Sequence, residues 1–174
     1  MAGEVRTILA YLADTLLPSI DGGVLNLPEG RTHTCTFDFT GTGRVVFGRP
    51  PSRGPELVDG GQPVVYLFPA SPVSAEVTAA PPASLSEYAL LLRVGLEGFV
   101  TPQNVAGEGD TARGKVLRAA DLLNDLMAAI EADRDLGGHA FDATAQWQLV
   151  DGARVNAPRH GTVQGLLTIT TVRV

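Results

Sequence analysis

Apolar residues recur at three- and four-residue intervals in two parts of the chain and alternate with polar ones in several others. In residues 5–17, Val5, Ile8, Leu9, Leu12 and Leu16 fall on one stripe, which predicts a helix. Pro18 and the Asp-Gly-Gly at 21–23 end it. Residues 111–134 predict a longer helix, with Val116, Ala120, Leu123, Met127 and Ile130 as a buried stripe that Ala119 and Leu126 widen. Arg118, Asp121 and Asp125 then form the solvated side. Asp110 is the expected N-cap and Gly137 the expected left-handed C-terminal cap.

The alternating segments predict strands. In residues 32–39, "THTCTFDF", Cys35, Phe37 and Phe39 face one way and Thr34, Thr36 and Asp38 the other. Gly-Thr-Gly at 41–43 is a plausible turn into "RVVFG", which predicts a β-hairpin. Residues 64–68 and 87–100 predict a short and a long strand. In the long one Leu90, Leu92, Val94, Leu96 and Val100 share a face, while Arg93, Glu97 and Phe99 share a wetter one. Residues 143–150 and 161–174 predict two more. Residues 49–62 and 69–86 are long connections rich in proline with glycine or alanine; loops of that length in a compact domain are usually functional or mobile. Only one helix separates strands in the second half. The expected fold is therefore of the α+β type: one domain over residues 1–174, with a mainly antiparallel or mixed sheet and two packed helices. A hairpin and loop arm at 31–62 projects from it.

At 174 residues the chain buries enough surface to fold without staples, and a lone cysteine, Cys35, rules out an internal disulfide. That composition suits a reducing cytoplasm. No targeting segment and no apolar run of membrane-spanning length is visible, so no membrane partner is expected. Thirteen basic against nineteen acidic residues give a net charge of −6, which argues against a general nucleic-acid binder.

Several residue sets invite a chemical reading. From Gly109 to Lys115 the chain spells G-x-x-x-x-G-K, but Val116 stands where a P-loop needs a magnesium-binding hydroxyl. A loop of about nine residues also separates the motif from the preceding strand. A small nucleotide-binding enzyme hinging on Lys115 is the less favoured alternative. The simpler reading is a capped helix start, with Arg113, Lys115 and Arg118 as solvated cations, or as cations that meet an acidic partner. His33, His139 and His160 are far apart in sequence, so no zinc site is expected. Cys35 reads as a small buried apolar residue. Ser71, Ser74, Ser84 and Ser86 lie in loop sequence unlike a nucleophile elbow, so no catalytic residues are assigned. Trp147 reads as core, with an interface anchor as the alternative. Residues 41–54 hold Arg44, Arg49 and Arg53 and no acidic residue; these three, with Arg113 and Lys115, are the candidate protein-interface residues.

Four phrases carry a family resemblance: "PVVYLFPAS", "ALLLRVGLEGFV", "AADLLNDLMAAIEADRDLGG" and "GTVQGLLTITTVRV". In these and in element order the chain resembles the tail terminator, or tail completion, proteins of long-tailed bacteriophages. The resemblance implies a structural subunit with no enzymatic chemistry and no cofactor. Six copies form a ring that caps the tail tube and stops its polymerisation. Its partners are then itself, the tail tube protein and the head–tail connector or neck protein, with DNA only as passing cargo. It implies assembly in the host bacterial cytoplasm and a place at the head–tail junction of the virion. Another neck, head-completion or tail tube protein is the alternative within the same class.

Overall fold

The computed structural model describes residues 2–52, 54–55, 62–70, 74–77, 88–101, 111–150 and 160–173. The N-terminal helix α1 (Ala2–Tyr11) widens into a π turn at Leu12–Leu16 and tightens into a 3₁₀ turn at Leu17–Ser19, where Pro18 stops it. Ile8, Leu12, Leu16, Leu17 and Ile20 are buried along this segment, as the apolar spacing requires.

Strand β1 (Val24–Asn26) pairs antiparallel with β2 (Thr32–Thr34), forming a small separate ribbon. The main sheet contains β3 (Val45–Phe47), β4 (Val64–Pro69), β5 (Ser74–Val77) and β6 (Tyr88–Val100). Helix α2 (Ala112–Ala132) follows, then β7 (Asp142–Val150) and β8 (Gly161–Arg173). The spatial order is β3-β4-β6-β8-β7, and β5 continues the β4 edge along the first residues of β6. All neighbours are antiparallel except β3 and β4. The expected α+β fold with a mixed sheet is therefore present. Both helical segments contribute to one core on one face of the sheet, with Val65, Leu67, Leu92, Val94, Leu96, Val163, Leu167 and Ile169 beneath them.

Several expectations change. Residues 32–39 and 44–48 do not form a hairpin with each other: β2 pairs with β1, and β3 runs parallel to β4. The alternation at 35–39 is real, since Cys35, Phe37 and Phe39 are all buried, but the strand stops at Thr34. The amides beyond it find acceptors outside any strand ladder. Cys35 donates to the Gly23 carbonyl, Thr36 and Phe37 to the Asp125 carboxylate, Asp38 to the Gln62 side chain and Phe39 to the Ile20 carbonyl. The backbone is satisfied without a ladder.

Helix α2 is also rotated from its expected orientation. Of the expected stripe Ala119, Leu126 and Ile130 are buried, and Leu122 and Ala129 are buried with them, whereas Val116 and Met127 are 55% and 47% exposed. Asp125, expected on the solvated side, has no exposed surface. Apolar residues at 119, 122, 126 and 129 satisfy helical spacing as well as those at 116, 120, 123 and 127 do, so the spacing alone did not choose between them. Thr111, not Asp110, caps the helix: its hydroxyl accepts the Gly114 amide at 3.0 Å. Asp110 lies outside the described residues. Gly137 does take a left-handed conformation (φ +63°), but in the turn that follows the helix and not directly at its end.

Candidate functional site

The expected interface residues fall into two groups. Arg44 and Arg49 flank β3, the edge strand, while Arg113 and Lys115 lie in the first turns of α2; Arg53 lies outside the described residues. The Arg44 carbonyl accepts the Val65 amide at 2.8 Å, and its guanidinium reaches the Gln62 carbonyl at 3.5 Å. These bonds hold the chain entering β3 against β4. The Arg49 guanidinium sits over the Phe68 ring, 4.8 Å from its centroid, a cation–π contact that fixes where this charge points. Lys115 belongs to a close contact of backbones: its carbonyl and Ala119 lie where a side chain at residue 161 would be, which is why Gly161 starts β8.

Arg49 and Phe68 are on the sheet face away from the core. There, with Gly95, Glu97, Gln148 and Gln164, they line an open concavity of about 400 Å³. A hydrogen-bonded row crosses three strands: Gln148 Nε2 donates to Gln164 Oε1, and Gln164 Nε2 donates to Glu97 Oε1, each at 3.0 Å. Partial burial raises the Glu97 carboxyl above its ordinary value, against the lowering influence of Gln164 and Arg49. Gly95 leaves room for the Phe68 ring. Further along the same face, Tyr66 and Phe99 meet edge to face, and Phe99 meets His160 in the same way. Trp147 is half-buried at the margin of the core, its ring laid over Gly165.

Across the core, α2 brings together residues that sequence distance had separated. Asp125 Oδ2 accepts the amides of Thr36 and Phe37, both at 2.9 Å. Oδ1 accepts His33 Nε2 at 2.7 Å and shares the Thr36 amide at 3.2 Å. Cys35 joins them: an imidazole nitrogen, the Sγ and a carboxylate oxygen all lie within 4.8 Å of one another. Burial pushes the Cys35 thiol up to about 11, with the negative charges of Asp125 and Asp21 adding to it. A buried thiol so disposed is protonated at neutral pH and is a poor nucleophile. The three histidines remain far apart in sequence, but the fold sets His33 beside Cys35 and Asp125. His33 and Asp125 are 92 residues apart, and only the packing of α2 on the segment after β2 joins them. The available sequence signal was His33-x-Cys35 on alternating positions beside a helix carrying an acidic residue among apolar ones.

Among the described residues no helix is long and apolar enough to cross a membrane. No protein-family model matches this sequence, and no curated protein matches it significantly.

Proposed function

We propose that this chain is a structural subunit of a long-tailed phage virion, a tail terminator. Six copies close into a ring on the end of the tail tube, end its polymerisation and offer a surface to the head connector. The observation that carries the reading is the pair of unequal sheet edges. Among the described residues the main sheet ends in the three-residue β3 on one side and the nine-residue β7 on the other. Each edge exposes a large apolar side chain, Phe47 at 57% and Leu149 at 43%. An open edge with apolar side chains invites pairing, and a soluble monomer usually blunts it. Two different edges on opposite sides of one subunit suit a heterologous, head-to-tail contact whose rotation closes. Charge supports the same geometry. The β3 edge carries Arg44 and Arg49 within a stretch free of acidic residues, on a chain whose net charge is −6. The phrases that carry the family resemblance coincide with β4, β6, α2 and β8, the sheet centre and the helix on it.

The test is assembly. Light scattering after size exclusion, negative-stain microscopy and a tube-length assay with purified tail tube protein should give a discrete ring and short, capped tubes. Long polymers of the chain alone would instead identify a tube subunit. A chain that stays monomeric and leaves tube growth unchanged would end the proposal.

A further inference from the structure

We infer that His33, Cys35 and Asp125 form a three-ligand site for one divalent transition-metal ion of the zinc class. The inference is independent of the tail reading. The donor set is imidazole nitrogen, thiolate sulfur and carboxylate oxygen, a combination that suits a borderline-soft ion and not magnesium or calcium. The three donor atoms already lie within 4.8 Å of one another. A tetrahedral zinc ion needs its ligand atoms roughly 3.3–3.6 Å apart. The imidazole–carboxylate pair, now 2.7 Å apart, opens slightly to admit the ion, and the sulfur draws in.

The surroundings prepare this geometry. Asp125 is anchored through Oδ2 by two amide bonds at 2.9 Å, which orient the carboxylate and leave Oδ1 turned to His33. This is the outer-shell support that ligating carboxylates ordinarily have. The Cys35 backbone is tied to the Gly23 carbonyl at 2.8 Å, and His33 is paired with Leu25 in the β1–β2 ribbon. The His33 side chain retains 24% of its surface, so an ion enters from its side and a water completes the fourth position there. On binding, the Cys35 S–H bond breaks, sulfur bonds the metal and the thiol proton leaves to solvent. His33 moves its ring hydrogen from Nε2, where Asp125 now accepts it, to Nδ1 by exchange with solvent, and binds through the freed Nε2. The bound ion links α2 to the segment after β2, so it stabilises the fold by the free energy of binding.

Cobalt(II) reports the ligand set directly. Titrating the full-length, reduced, metal-free protein with Co²⁺ should saturate at one ion per chain. It should give a thiolate-to-cobalt charge-transfer band and the visible bands of a four-coordinate ion, both displaced by Zn²⁺. Cys35→Ser should abolish the charge-transfer band. Cys35→Ser and His33→Gln should each weaken binding by more than the ~10–100-fold that loss of an outer-shell partner costs. Circular dichroism checks that both variants fold. X-ray absorption at the zinc edge of the wild type needs no variant and should show one sulfur neighbour at about 2.3 Å. Absence of saturable binding, a cobalt spectrum without the sulfur band, or a zinc shell without sulfur would each overturn the site.

Discussion

At Asp125 a carboxylate with no exposed surface takes the amide hydrogens of Thr36 and Phe37 and a ring hydrogen of His33. A buried charge is tolerated only when its lone pairs are occupied, and here hydrogen-bond donors of the 33–37 segment occupy them. Asp125→Ala therefore strands the buried Phe37 amide and the part-buried Thr36 amide, and urea denaturation should show a loss of about 2–4 kcal/mol. Asp125→Asn keeps one acceptor oxygen and should lose less, about 1–3 kcal/mol. Equal stability of the alanine variant and the wild type would show that this carboxylate does not hold the segment. Tyr11 gives a pH-dependent prediction. Its hydroxyl donates to Asp133 Oδ2 at 2.5 Å; that bond and then burial push its pKa from 10.0 up to about 12. The folded state thus holds this proton more tightly than the unfolded one. The contribution is complete below pH 10 and is lost as pH rises through about 12. Thermal melts across that range should fall less steeply for Tyr11→Phe than for the wild type. At this scale the sequence was least informative: Asp125 looks like any solvated helical aspartate until residue 36 is placed beside it.

The helices and long strands show how element-level reading succeeds and where it is ambiguous. Helix α2 and strands β6, β7 and β8 begin and end close to where periodicity and turn residues put them. Which face of α2 is buried was not determined by spacing, because apolar residues occupy two adjacent stripes; contact with β8 and the Phe37 region selects one. The Arg118 guanidinium, expected in solvent, lies 4.3 Å from the Phe37 ring centroid for the same reason. The helix comes close to the sheet at Gly161, where an added Cβ would lie 3.1 Å from the Ala119 Cβ and closer still to the Lys115 carbonyl. Gly161 is also fixed in register opposite Val100. Gly161→Ala must push the helix end off the sheet, and thermal or urea unfolding should show a loss of about 1–3 kcal/mol. A neutral substitution would mean that this end of α2 moves freely. The hairpin expected after residue 32 failed because a turn signal predicts a reversal of the chain, not the partner that the next strand finds.

For the molecule as a whole, the informative feature is an open sheet with two dissimilar edges and a basic stretch at one of them. If those edges join neighbouring copies, the charge at β3 assists the contact and salt weakens it. Arg49→Ala should lower the yield of rings and the rate of tube capping in the assembly assay. Monomer stability should fall by no more than about 1 kcal/mol, the scale of the exposed cation–π contact with Phe68. Unchanged assembly in this variant would remove Arg49 from the contact and leave the ring itself to be judged by microscopy. Deleting residues 44–58 would not isolate the edge. That segment includes β3, and Val45 packs against the core, so the deletion would damage the fold as well as the edge.

By itself the sequence determined the two helices, the long strands, the α+β class and the basic composition of residues 41–54, because each depends on local periodicity, turn chemistry or composition. The tertiary structure alone decided which stripe of α2 is buried, which strands pair and which polar groups meet. His33, Cys35 and Asp125 are adjacent because α2 folds back over the segment after β2. Such proximity is a property of packing between residues distant in the chain, and no local pattern encodes it.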